Sequence, residues 1–244
     1  MSTTYIYGIR AILEALENEQ DIDKVYLSQQ AKSPLFKSLE VQLRAHNINH
    51  SYVPDARMNR FNDRNHQGAV ARVAPISFVA LEELIETSTT TSKAATFILL
   101  DGLTDPRNLG AIFRTAAAQE VNGIVIPQTG SAPINADTIK TSAGGVFSVP
   151  VARVAHLKDA AFLFQQYDIP LVGLTEKTDQ SIYDLDLSAS VALVLGNEEK
   201  GIHPSLLKLC SQKGQLPMTG NIASLNVSVA CGVCLYEIYR QRNS

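Results

Sequence analysis

The segment TFILLDGLTDPRNLGAIFRTAAAQEVNGIVIP, residues 96–127, decides the fold class. It opens on the apolar run Phe97–Leu100, passes through a turn at Asp105-Pro106 into a helix-period stretch, and closes on a second run, Gly123–Ile126. Runs of this length, apolar at every position, suit strands buried on both faces. The helix between two of them implies a parallel crossover. Working outward, Phe147–Val151, Leu171–Leu174 and Val191–Leu195 continue the pattern, with helix-period segments between most of them. The expectation is an α/β domain: a parallel sheet with helices on both faces. Ligands of such sheets bind beyond the carboxyl ends of the strands. There lie DGLTDPRNLG (101–110), TEKTD (175–179) and GNEEKG (196–201).

Upstream, residues 5–74 alternate on a smaller scale. A helix is expected from Gly8 to about Leu16, and another after Pro34 with Leu35, Leu39 and Leu43 on one face. Strands are expected at Val25–Leu27, Ser51–Val53 and Ala69–Val73. Residues 76–95, preceded by a proline and ending in a Ser/Thr tract, read as a linker with one short helix. Domains are therefore expected at 1–75 and 96–244.

Composition narrows the functional classes. With 45% hydrophobic and 18% charged residues, the 244-residue chain is an ordinary globular protein, large enough for a substantial core. No window reaches a membrane span, the first residues lack signal-peptide character, and three cysteines do not make a disulfide framework. The cytoplasm is the expected compartment, with no membrane partner, so the sequon Asn226-Val227-Ser228 carries no glycan. The five histidines show no metal-ligand spacing, and no metal is expected. Net charge is −3, unevenly spread: residues 1–75 hold 9 Lys and Arg against 8 Asp and Glu, the rest 12 against 16. Whole-chain charge limits long-range attraction to nucleic acid but leaves room for a local phosphate-binding patch.

Four stretches carry polar residues where a loop meets a helix. Asn108 sits near the start of the 101–118 motif and Arg114 six residues on, about 600° around a helix, so the two do not share a face. Taken alone, an N-cap and a solvated arginine account for them. Two glycines bracket Asn197, Glu198, Glu199 and Lys200; the spacing is neither a phosphate loop nor a dinucleotide fingerprint, and a turn suffices. Gly144 and Gly145 in TSAGGVFSVP likewise read as a turn. The fourth stretch, LPMTGNIASLNVSVACGVC (216–234), leads from a Pro/Gly loop into a helix running from Leu225 through Ile238. Asn221 and Ser224 are cap types, yet Ser224 and Asn226 together exceed what one cap needs. Cys231 and Cys234 lack further ligands and read as buried small hydrophobes. In the first domain Arg57, Arg60 and Arg64 are spaced i, i+3, i+7 around Phe61, on one side if that segment is helical, ahead of His66-Gln67-Gly68; a solvated face or a phosphate-contacting patch fits them.

Taken together, the motifs closely resemble the SpoU (TrmH-like) RNA 2′-O-ribose methyltransferases. Asn108…Arg114 matches the first family motif. Gly196-Asn197-Glu198…Gly201-Ile202 matches the second, and Leu216-Pro217-Met218…Gly220…Ser224-Leu225-Asn226-Val227-Ser228-Val229-Ala230 the third. YGIRAILEAL (7–16) and HQGAVARV (66–73) look like the family's ribosomal-protein-like RNA-binding domain, and the resemblance spans essentially the whole chain. It is nearest the RlmB-like branch, which methylates a guanosine ribose of bacterial large-subunit (23S) rRNA. Glu199 stands where the family often has glycine or another small residue.

The resemblance implies a deep trefoil knot in the C-terminal domain, a homodimer with active sites at the subunit interface, and S-adenosylmethionine as cofactor. It would be held by Leu174, Thr175, Gly196, Asn197, Leu216, Met218 and Leu225, with Arg114, Asn108, Glu198, Ser224 and Asn226 as catalytic residues. Ribosomal RNA would be the partner, reached through Arg57, Arg60, Arg64, His66 and Gln67. Methylation of another rRNA or tRNA nucleotide and an inactive RNA-binding assembly factor remain as alternatives. A nicotinamide oxidoreductase is disfavoured, because no glycine fingerprint follows any strand.

Overall fold

A computed structural model describes residues 5–17, 21–61, 65–73, 76–221 and 224–243. The chain divides into two units, Met1–Ser77 and Phe78–Ser244.

The first unit contains β1 (Tyr5–Tyr7), α1 (Ile9–Glu17), β2 (Ile22–Ser28), α2 (Pro34–Ala45), β3 (His50–Val53), the single turn α3 (Asp55–Met58), a 3-10 turn (Asn59–Phe61) and β4 (Ala69–Val73). Its mixed sheet has the order β1-β4-β2-β3, with only the β2–β3 pair parallel. Ile9, Ile12 and Leu16 from α1 and Phe36, Leu39 and Leu43 from α2 bury against Val25, Leu27, Ala69 and Ala71. The α2 entry follows local chemistry: Ser33 Oγ accepts from Phe36 N (3.1 Å), and Pro34 occupies the first turn, where no N–H is needed.

The second unit runs α4 (Leu81–Thr91), β5 (Thr96–Leu100), α5 (Pro106–Ala118), β6 (Gly123–Pro127), α6 (Ala136–Thr141), a 3-10 turn (Gly145–Phe147), β7 (Val151–Val154), α7 (Leu157–Gln166) and β8 (Leu171–Leu174). It continues with a 3-10 turn (Ile182–Asp184), β9 (Val191–Leu195), α8 (Pro204–Leu207), β10 (Gln212–Gly214) and α9 (Val227–Arg242). Its six strands are all parallel, in the order β10-β8-β9-β5-β6-β7, as the alternation of apolar runs and helices implies. Every residue of β5 and of β9 is buried, the mark of strands covered on both faces. The chain builds outward from β5 through β6 to β7, then starts again on the other side of β5. The loops after β5 and β9 therefore diverge at a topological switch point.

Three expectations shift. The segment expected to link the domains belongs to the second unit from Phe78 on: Val79 N donates to Val151 O (2.9 Å), and Leu84 and Ile85 of α4 are buried in the core. The strand expected at Phe147–Val151 begins at Val151, because Gly145–Phe147 forms the 3-10 turn. A Cβ on Gly145 would stand 2.8 Å from Phe113 O and 3.2 Å from Arg114 Cα, so that turn lies directly on α5. Helix α9 starts at Val227 rather than Leu225, since its cap is Asn226, whose Oδ1 accepts from Ser228 N (2.9 Å). Among the described residues no helix is long and apolar enough to cross a membrane.

Candidate active site

At the carboxyl ends of β8, β9 and β10, three loops enclose a cavity of about 740 Å³. Leu174 and Thr175 come from the first loop, Gly196, Asn197 and Glu198 from the second, and Leu216, Met218, Ser224 and Leu225 from the third. Thus the structure brings together all seven residues expected to hold the cofactor, with Glu198 and Ser224 beside them. Each loop is held by its own backbone chemistry. Thr175 N donates to Gly214 O (3.0 Å), and Thr175 Oγ1 accepts from Lys177 N (3.2 Å).

The second loop is the most constrained. Asn197 and Gly201 exchange backbone hydrogen bonds (3.2 and 2.8 Å), closing the loop on itself. Asn197 Oδ1 accepts from Glu199 N (2.9 Å) and Lys200 N (3.2 Å), while its Nδ2 donates to Gly102 O (2.8 Å) in the loop after β5. Asp101 Oδ2 accepts from His203 N (2.7 Å), a second tie between the same two loops. A Cβ on Gly196 would stand 2.1 Å from Gly201 C and 2.2 Å from Ile202 N, so only glycine lets these backbones cross so closely.

Asn108 and Asn226 do not line the cavity; they connect to its edge. Asn226 Nδ2 donates to Asn108 Oδ1 (3.0 Å), and Asn108 Nδ2 donates to Glu198 Oε1 (2.6 Å). One chain of amides thereby joins the cap of α9, the first turn of α5 and the carboxylate at the cavity wall. Asn226 does two jobs, since its oxygen caps α9 while its nitrogen reaches Asn108. Asn108 is not itself a cap: Asp105 caps α5, accepting from Arg107 N (2.8 Å). Arg114 stands apart from this chain, exposed on α5, and makes no side-chain hydrogen bond or ion pair among the described residues.

The cavity wall is divided in chemistry. Leu195, Pro217, Val227 and Ala230 join the leucines and Met218 on the apolar part, whereas Glu176, Glu198 and Glu199 supply negative charge. Met218 and Leu225 remain 37% and 39% exposed, apolar surface that a bound ligand would cover. The sequence does not single out Glu176 or Gln215, which also line the cavity. Glu176 sits in a loop already marked by its place after a strand. Gln215 follows β10, whose Gln-Lys-Gly composition gives no strand signal.

Cys231 and Cys234 are fully buried in α9, and burial drives both thiols upward, Cys234 to about 12. No cluster of His, Cys, Asp or Glu able to hold a metal occurs among the described residues.

The residues expected to meet RNA lie in the first unit. Arg57 and Arg60 are exposed on α3 and the 3-10 turn after it. Arg64 lies outside the described residues. His66 Nδ1 accepts from Gly68 N (3.1 Å), shaping the turn that leads into β4, and Gln67 is exposed at its tip with a left-handed φ of 49°.

Among known proteins, the chain has matches over both units. Residues 95–236 match the SpoU rRNA Methylase family, and residues 5–79 match an RNA 2'-O ribose methyltransferase substrate binding domain. The chain is 37% identical over 240 residues to the 23S rRNA (guanosine-2'-O-)-methyltransferase RlmB of Xanthomonas axonopodis pv. citri (strain 306), covering 98% of this chain and 96% of that one. It is 32% identical over 239 residues to the putative TrmH family tRNA/rRNA methyltransferase YacO of Bacillus subtilis (strain 168), with the same coverage of each. The SpoU methyltransferase AviRb from Streptomyces viridochromogenes, solved in complex with the cofactor AdoMet, shares the fold at a TM-score of 0.63. That match has 24% identity and covers 99% of this chain and 91% of that one.

Proposed function

The chain belongs to the SpoU rRNA methylase family, and on that premise we propose that it methylates the ribose 2′-oxygen of a guanosine in large-subunit (23S) rRNA, using S-adenosylmethionine. The observation that carries this reading is the hydrogen-bond chain Asn226–Asn108–Glu198, which ties the three motifs to one edge of the cavity. The cavity fits the cofactor: apolar walls suit an adenine and a methylene chain, and the three glutamates suit a ligand bearing positive charge. When bound, S-adenosylmethionine supplies a methyl group on a sulfonium, open to attack by a hydroxyl oxygen.

The chain's own residues then have three tasks. Leu174, Thr175, Gly196, Asn197, Leu216, Met218 and Leu225 hold the cofactor, and the Asn197–Gly102 and Asp101–His203 ties keep the second loop in place before it binds. Ser224 and Asn226 position the reacting ends, with Asn108 fixing Asn226 and Glu198 relative to each other; alignment of this kind supplies about 7–11 kcal/mol when it is good. Arg114 stabilises the alkoxide that forms as the ribose hydroxyl gives its proton to water, or clamps the neighbouring phosphate; transfer would leave the cofactor as a neutral thioether.

Residues 1–75 act as the RNA-binding domain, with Arg57, Arg60, Arg64, His66 and Gln67 on phosphates, and residues 96–244 perform methyl transfer. The C-terminal segment closes a trefoil knot. In support, the chain runs from β9 out to the edge strand β10 and returns to set α9 against α5, while Gly196 is pressed on the Gly201–Ile202 backbone. A second copy completes the site, for α9 leaves Val229, Tyr236 and Tyr239 exposed with Tyr183 nearby. The protein works in the cytoplasm, where its rRNA substrate is found. Ribose-methylation mapping of 23S rRNA from cells with and without the protein tests the function. One guanosine should lose its 2′-O-methyl group when the protein is absent; an unchanged 23S map refutes the assignment.

A further inference from the structure

The sheet of the first unit has a second face, away from α1 and α2, on which the turn α3 sets Met58 against Val53 and Val70. Strand alternation sends Val25, Leu27, Ala69 and Ala71 under the helices and turns Tyr5, Tyr7, Lys24, Tyr26, Val70 and Arg72 the other way. Register sets Tyr7, Val70 and Tyr26 in one row across β1, β4 and β2, and Tyr5, Arg72 and Lys24 in the next. Phe61 packs against all three tyrosines, its ring centroid 5.2, 6.0 and 6.5 Å from those of Tyr5, Tyr7 and Tyr26. Val53, Met58 and Val70 are buried beneath them, while the four rings themselves are half-buried and keep part of their surface open.

Cations surround it. Lys24 Nζ lies 5.6 Å and the Arg57 guanidinium 5.8 Å from the Tyr26 ring centroid, and Arg60 is exposed on the next turn. Among the described residues, Arg72 is ion-paired with Asp23, and Asp55 accepts from Ser28 Oγ at 2.5 Å. Among the described residues the balance of this face is positive. Aromatic rings on neighbouring strands with lysine and arginine at the rim provide what unpaired nucleotides need: flat apolar faces for bases and charge for the backbone.

We propose that this sheet face is a stacking platform for single-stranded RNA, receiving bases against Tyr5, Tyr7 and Tyr26 and phosphates on Lys24 and Arg57. The proposal rests on the reading that the substrate is RNA. It extends the contact surface from the arginine-bearing turn and the His66-Gln67 turn to the partly covered tyrosine face of the sheet. A duplex cannot use such a platform, so the platform selects a looped-out or unpaired segment of the substrate.

The test measures binding of an unmodified 23S rRNA transcript across a salt series, with S-adenosylmethionine affinity recorded in parallel. Tyr7→Leu with Tyr26→Leu should weaken RNA binding by about tenfold or more, without changing the salt slope, because stacking involves no counterion release. Tyr26→Phe should bind like the wild type. Lys24→Gln with Arg57→Gln should reduce the slope by about 1.4, at roughly 0.7 per neutralised phosphate on a single strand. Cofactor affinity should stay unchanged throughout. Leucine variants with wild-type melting temperature and wild-type RNA affinity overturn the platform. If the leucine variants do not fold, an unaltered slope and affinity in the Lys24/Arg57 pair overturns it instead. A wild-type protein that binds no rRNA refutes the RNA reading itself, and the platform with it.

Discussion

The two sheets of this protein put their chemistry in different places. In the second unit the sheet is parallel and covered on both faces, so its strands are used up in packing and the polar residues gather in loops at the carboxyl ends. In the first unit the sheet is mixed, α1 and α2 cover one face, and only the short turn Asp55–Phe61 packs on the other, which leaves half-buried tyrosines at its surface. Burial thus decides where function goes: a strand with two buried faces offers only its end, a strand with one offers its surface.

The largest expected effect separates these two arrangements. Arg114→Ala should lower methyl transfer by at least ~10²–10³-fold, the scale of losing one electrostatic stabiliser. Cofactor affinity by calorimetry should stay within about twofold, given the residue's place outside the cavity. Matched loss of cofactor binding would place Arg114 in the wrong role. Next comes Gly196→Ala. The added methyl meets the Gly201–Ile202 backbone, so the loop must move at a cost of about 1–3 kcal/mol. We expect a lower melting temperature and loss of measurable cofactor binding, with the first unit still binding RNA; unchanged cofactor affinity would show that the loop is not the binding wall.

A smaller effect sharpens the first unit's side of the contrast. Replacing Arg57, Arg60 and Arg64 by alanine should weaken rRNA binding and flatten its salt dependence by roughly 0.7–0.9 for each phosphate no longer neutralised. The same affinity and slope as wild type would remove that patch from the interface. The smallest concerns the core of the second unit. Because burial raises the Cys231 and Cys234 thiols, neither should react with iodoacetamide in the folded protein at neutral pH. The sign of the linkage follows: the neutral thiols stabilise the fold below their ordinary value of 9.0, and that contribution fades as the pH rises above it. Rapid labelling at neutral pH would mean that α9 opens.

The parallel sheet was legible because buried strands announce themselves: Phe97–Leu100 and Val191–Leu195 are apolar at every position, and nothing else in the chain explains them. The same signal misled at Phe147, where an apolar pair after two glycines packs on α5 as a 3-10 turn rather than entering the sheet. Edge strands were harder. Tyr5–Tyr7 and Gln212–Gly214 are three residues each, too short to show a period, and depend on their neighbours for strand geometry. The cavity residues were readable as motifs, since loops after strands can be located from the strands. What spacing could not reveal was the partnership of Asn226 with Asn108, 118 residues apart, or that one asparagine serves as helix cap and as tether. That link exists only once α9 has folded back against α5.

The most direct test of the central claim is transfer of an isotope-labelled methyl group from S-adenosylmethionine to unmodified 23S rRNA, followed by digestion to nucleosides. Label should appear in 2′-O-methylguanosine with the wild-type protein and not with Arg114→Ala. Label on a base, or no transfer to RNA by a protein that binds both cofactor and rRNA, would contradict it.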